Sequence, residues 1–172
     1  ARTARNVMKG QAQELATWME EDLAEMGRNM SAGEAAFEAP QDSTQWHTIQ
    51  FTFKQDSLQG GSRVRVKTRY ELEQTGTRDV DGTTTPLYEV RRSQKIGSGA
   101  WQSRGRSTSN LEYFEVNLLD ENGTPIPSPV ANTSEVESIR VRYSVVAPFQ
   151  NDLTFPRRAR RSIVIPYRLA GS

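Results

Sequence analysis

Residues 1–30 read ARTARNVMKGQAQELATWMEEDLAEMGRNM, and the reading of this stretch decides the fold. Met8, Ala12, Leu15, Met19, Leu23, Met26 and Met30 follow one another at three- and four-residue steps, which sets them on one face of a 3.6-residue helix. Arg5, Lys9, Gln13, Glu20, Glu21 and Glu25 fall on the other faces. The apolar stripe is therefore narrow and suits a helix laid across a sheet. Trp18 stands at its edge and widens it. Gly27 and the run Ser31-Ala32-Gly33 supply stops, so the expected helix ends between Met26 and Ser31. Its charges run against the helix dipole, with Arg2, Arg5 and Lys9 early and Glu20, Glu21, Asp22 and Glu25 late. Either tertiary packing overrides a small penalty, or the helix starts upstream of Ala1.

Downstream of the helix the pattern changes from period 3.6 to period 2. Arg63-Val64-Arg65-Val66-Lys67-Thr68-Arg69-Tyr70-Glu71-Leu72-Glu73 alternates most cleanly, with Val64, Val66, Thr68, Tyr70 and Leu72 on one face and charges on the other. One wet face implies an antiparallel sheet covered on one side. His47–Lys54, Pro86–Arg92, Leu111–Leu119, Val136–Val146 and Ser162–Leu169 read as further strands. Pro166 demotes the last to an edge or bulged strand. Thr75–Pro86, Ser93–Asn110 and Ala147–Arg158 read as loops, and Pro125, Pro127 and Pro129 as an irregular extended segment.

The 172 residues are sized for one domain with one core, and the formal net charge is +1. There is no cysteine, which excludes disulfides, thiolate metal sites and cysteine nucleophiles. No run of eighteen apolar residues and no signal-peptide pattern occurs. Phosphate loops, zinc spacings and nucleophile elbows are absent, and the lone His47 opens a strand with no identifiable partner. The expectation is a chain that is not an enzyme and needs no cofactor.

Gln13-Glu14-Leu15-Ala16-Thr17-Trp18-Met19-Glu20-Glu21-Asp22-Leu23-Ala24-Glu25-Met26-Gly27 is similar to the helix end of minor pilins and pseudopilins, where an acidic-Asp-Leu step precedes a closing Gly. Val136-Glu137-Ser138-Ile139-Arg140-Val141-Arg142-Tyr143, then a long loop and Pro156-Arg157-Arg158-Ala159-Arg160-Arg161-Ser162-Ile163-Val164-Ile165, resembles the close of the type II secretion minor pseudopilins, the J type in particular. The resemblance implies an α+β, pilin-like fold in a single domain over residues 1–172. Residues 1–30 would be the C-terminal part of the pilin helix, and residues 45–170 an antiparallel sheet domain. It also implies an apolar anchor preceding Ala1, with Arg2, Arg5 and Lys9 just outside the membrane. The expected protein is then a structural subunit of a secretion or pilus filament tip. It would be held in the inner membrane, face the periplasm or the exterior, and assemble with other pilin-like subunits.

Several residues are candidates for sites. Met8, Leu15, Trp18 and Met19 would pack in the core or against a neighbouring subunit. Asp79 and Asp81-Gly82 resemble a fragment of a calcium loop without its remaining ligands, and Asp120, Glu121 and Asn122 are read in the same way; a polar turn is preferred at both, although calcium occurs in some relatives of the resembled family. Arg157, Arg158, Arg160 and Arg161 form the densest basic patch, and Arg63, Arg65, Lys67 and Arg69 a basic strand face. Both could meet phosphates, but a solvated face paired with Glu71, Glu73 or Glu89 is preferred, so nucleic acid is the less favoured partner. The rival functions are an extracellular carbohydrate- or protein-binding β module, for which Trp46 and Trp101 would be an aromatic platform, and a DNA-binding minor pilin of an uptake pilus.

Overall fold

The computed structural model describes residues 2–31, 33–38, 50–80, 82–126, 135–147 and 158–166. One helix, α1 (Arg2–Ala24), precedes the strands β1 (Phe37–Glu38), β2 (Gln50–Gln59), β3 (Ser62–Val80), β4 (Thr83–Ile96), β5 (Gln102–Arg106), β6 (Leu111–Leu119), β7 (Ser138–Val146) and β8 (Arg158–Pro166). The strands form one antiparallel sheet in the order β1-β2-β3-β4-β6-β7-β8, with β5 on β4. The α+β, pilin-like class expected from the sequence is thereby corrected, because the described residues are β-rich, with eight strands and a single short N-terminal helix among them.

The correction has a physical origin. The segments read as loops, Thr75–Pro86 and much of Ser93–Asn110, are the ends of β3 and β4 and the whole of β5. Val80 pairs with Thr83 across a turn at Gly82, whose φ of 78° favours glycine. Thr83, Thr84 and Pro86 are exposed and every residue of β5 is exposed, so these segments carry no apolar phase for a period-2 reading to detect. The helix is also shorter than expected. After Ala24 the chain makes single turns, with Glu25 N donating to Asp22 O and Met26 N to Leu23 O, each at 3.2 Å. Gly27 N then reaches Lys54 O on β2 at 2.8 Å. Asn29, at φ 59°, takes the left-handed conformation that closes this segment.

α1 lies across one face of the sheet. Met8, Ala12, Leu15, Met19 and Leu23 are buried as the stripe requires. They meet Phe51, Phe53 and Tyr70 from β2 and β3, Val90 from β4, Phe114 and Val116 from β6, Ile139, Val141, Tyr143 and Val145 from β7, and Ile163 from β8. Helix and sheet thus share one core. The two halves of the sheet touch at one ladder position, Tyr88↔Leu111 between β4 and β6. Side chains reinforce this seam: Arg78 Nη1 donates to Ala147 O at 2.7 Å and Nη2 to Asn110 Oδ1 at 2.8 Å. Asn110 Nδ2 in turn donates to Gln11 Oε1 on the helix at 3.3 Å.

Candidate functional site

The helix end is locked to the sheet by three polar groups. Asp22, one turn beyond Trp18, accepts from Arg92 Nε and Nη2 at 2.7 Å each and from the Tyr70 hydroxyl at 2.6 Å. Trp18 leans on Tyr70 with ring centroids 5.5 Å apart, and the Arg92 guanidinium stands 6.0 Å above the Trp18 ring. Burial, and then the Asp22 charge, pushes the Tyr70 phenol well above its usual value. Burial pulls Arg92 down, but the hydrogen bonds and charge of Asp22, together with Tyr70, outweigh it and hold the guanidinium above its ordinary value. The sequence carried a signal for this cluster, since Asp22 lies three residues beyond Met19 on the apolar stripe and Arg92 is in phase with the inward-facing Tyr88 and Val90.

The outer face over β1–β4 is charged and internally neutralised. Arg65 Nε donates to Asp56 at 2.6 Å and Nη2 reaches Glu34 at 3.1 Å. Lys67 and Lys54 share Glu38 at 2.8 and 3.8 Å. Arg69 Nε stands 2.9 Å from Glu71, and Arg91 joins Glu73 at 2.6 Å and Glu89 at 3.0 Å. The Lys67 ammonium holds the Glu38 carboxyl below its usual value, and the hydrogen bond to Asp56 raises Arg65. Arg65, Lys67 and Arg69 therefore each face a carboxylate. Trp101 lies under the Arg69 guanidinium at 4.0 Å, so its ring is covered on that side.

The outer face over β6–β8 is different. Here a groove of about 700 Å³ wraps the sheet edge, lined by Glu112 and Tyr113 of β6, Arg142 and Ser144 of β7 and Arg158, Arg160 and Ser162 of β8, with Tyr143 and Arg161 on its helix side. The β7–β8 register sets Arg142 opposite Ser162 and Ser144 opposite Arg160. Glu112 accepts from Arg158 Nε at 2.6 Å and Ser144 Oγ at 2.7 Å. Glu115 accepts from Arg142 at 2.7 Å and from the Tyr113 hydroxyl. Arg160 and Arg161 are exposed and have no carboxylate partner among the described residues. The groove thus keeps two uncompensated guanidiniums beside two that carboxylates hold in place. Such an arrangement can bind carboxylates or phosphates through paired N–H donors.

The remaining candidates are placed as follows. Met8, Leu15 and Met19 are buried in the core and Trp18 is half-buried against it, so these side chains serve packing within the molecule. Asp79 accepts from Thr84 Oγ1 at 3.0 Å across the β3–β4 hairpin, and Asp81 lies outside the described residues. Asp120 Oδ1 accepts from the backbone of Asn122 and Thr124 at 2.9 Å each, which closes a turn. Among the described residues no group of three or more acidic or His side chains could hold a metal ion. Arg157, Trp46 and His47 lie outside the described residues. Arg142 and Glu112, which line the basic groove, and Glu115, which holds Arg142, were not among the sequence candidates. In comparisons with known proteins, no family model, no curated protein and no solved structure matches the chain.

Proposed function

We propose that the chain is a structural, non-enzymatic subunit of a cell-envelope filament tip, a minor pseudopilin of a type II secretion system or a minor pilin, joined to its neighbours through its N-terminal helix. The observation that carries this reading is the lock between α1 and the sheet. Met8, Ala12, Leu15, Met19 and Leu23 of the apolar stripe are buried, the Tyr143 hydroxyl donates to Ala12 O, and Asp22 is clamped by Arg92 and Tyr70. A head that must follow a helix through an assembly needs this kind of joint, because packed cores move as units rather than deforming continuously. The Asp22-Leu23 step of the resemblance is the point at which the lock is made. The reading rests on this helix and its joint, and not on a pilin-like fold.

In this proposal the solvent side of α1, with Lys9, Gln13, Glu14, Thr17, Glu20 and Glu21 exposed, is left to neighbouring subunits. Among the described residues no helix is long and apolar enough to cross a membrane, and the proposed inner-membrane anchor is a segment preceding Ala1. The precursor sequence upstream of Ala1 tests the idea directly. A short basic leader ending in Gly, followed by an apolar span with Glu at its fifth position, is the expected result. An ordinary cleaved signal peptide there would overturn it.

A further inference from the structure

β8 is the last strand of the sheet, hydrogen-bonded to β7 along its whole length and to no other strand among the described residues. Successive side chains of such a strand point to opposite faces, at about 3.3–3.4 Å per residue. Arg158, Arg160, Ser162 and Val164 therefore share the outer face, while Arg161 points to the helix side with Ala159 and Ile163, which are buried. Arg160 and Arg161 straddle the edge, one cation on each face. Farther along the outer face Val164 is 55% exposed, an apolar side chain beyond the end of the basic groove.

An exposed edge is a template for another strand, and natural proteins charge such edges to prevent indiscriminate pairing. Three arginines make a second copy of β8 a poor partner. They also select for a strand of opposite sign, whose acidic side chains would meet Arg160 and Arg161 while its backbone continues the ladder. We infer that the β8 edge with its adjoining groove is a docking site for an extended acidic segment of a partner protein. The segment adds as a further strand, with acidic residues against Arg158, Arg160 and Arg161, a polar residue against Ser162 and an apolar one against Val164. Glu112 and Glu115 hold Arg158 and Arg142 as the preset wall of the groove, leaving Arg160 and Arg161 to receive the incoming carboxylates. The inference stands independently of the filament reading, since it concerns only this edge.

The test uses the whole chain and a capped, fluorescein-labelled peptide, acetyl-Glu-Thr-Glu-Glu-Thr-Val-Val-amide, together with its reversed sequence to cover both strand directions. Anisotropy at low salt should show saturable binding of one direction that weakens as salt rises. Arg160→Glu combined with Arg161→Glu should weaken it about ten-fold or more, as for a strand whose charge match is reversed. Arg104→Glu, on the exposed β5 arm, should leave it unchanged. Bound peptide should also slow amide exchange within β8. No binding at low salt, binding unaffected by the Arg160 and Arg161 changes, or unaltered exchange in β8 would each overturn the inference. Displacement of the peptide by duplex DNA of matched charge, with the DNA binding more tightly, would overturn it in favour of a phosphate polyanion.

Discussion

Asp22 and Arg92, 70 residues apart in sequence, meet in a two-pronged ion pair with both N–H···O distances at 2.7 Å and only 13% and 15% of their side chains exposed. Removing one partner of such a pair leaves a desolvated charge behind, which costs about 3–5 kcal/mol in buried settings. Asp22→Ala should therefore lower the urea midpoint by the equivalent of about 3 kcal/mol with an unchanged m-value. Replacing both partners with leucine should restore much of the loss, because no unpaired charge then remains. A single variant costing less than about 1 kcal/mol would show that this pair does not fasten the helix end.

Tyr70 and Tyr143 both lie beneath α1, and burial is the leading cause that raises each phenol above its usual value near 10. A group whose folded value lies above its unfolded one contributes stability that is full below the unfolded value. That contribution is lost as the pH climbs from there toward the folded value. Stability should hold up to about pH 10 and fall steadily above it. Combining Tyr70→Phe with Tyr143→Phe should flatten this alkaline limb, while costing about 1 kcal/mol at neutral pH for each hydrogen bond lost. Urea midpoints of both proteins across the alkaline range measure this, and parallel limbs would contradict it.

The seam between the two halves of the sheet rests on Tyr88↔Leu111 and on the relay Arg78–Asn110–Gln11. Asn110 is 7% exposed, so Asn110→Ala strands Arg78 Nη2 and Gln11 without replacing their partner. A cost of about 1–3 kcal/mol is expected. Amide exchange should accelerate first at Leu111 and its neighbours, with the centre of β7 lagging behind, because β7 is paired on both sides. Uniform acceleration across β6–β8 would instead mean that the seam is no weaker than the rest of the sheet.

How far these features could be read from the chain depends on what each one does to the pattern. The α1 stripe was visible because Met8 through Leu23 repeat with the helical period, and β6 because Leu111–Leu119 carries Phe114, Val116 and Leu118 in phase. Pro166 marked β8 as an edge, since a residue without an N–H cannot serve a central ladder, and β8 is the last strand in the order. The hairpin end of β3 and β4 and the separate strand β5 left no trace, because Thr83, Thr84 and Pro86 and all of β5 are exposed and alternation there separates nothing. That blind spot is why the strand content was underestimated and the fold class misread. Arg158, Arg160 and Arg161 were legible as a cluster, yet their joining by Arg142 comes from the β7–β8 register, which no local pattern encodes. Asp22 betrayed itself by sitting on the stripe, but its partner lay too far along the chain to be named.

Trp101 bears on the rival reading of a carbohydrate-binding module, which needs an open aromatic face. The Arg69 guanidinium, itself 2.9 Å from Glu71, sits 4.0 Å from the centre of the Trp101 ring. A sugar stacking on that face would have to displace a contact worth about 0.5–1 kcal/mol at an exposed site. Trp101→Leu should cost about that much stability while keeping an apolar cover over the Arg69 stem. Adding neutral oligosaccharides to the unaltered protein should leave the tryptophan emission unchanged. Quenching that saturates with oligosaccharide and vanishes in Trp101→Phe would reverse this conclusion, since it would show the ring exchanging its guanidinium for a ligand and would return the binding-module reading to the front.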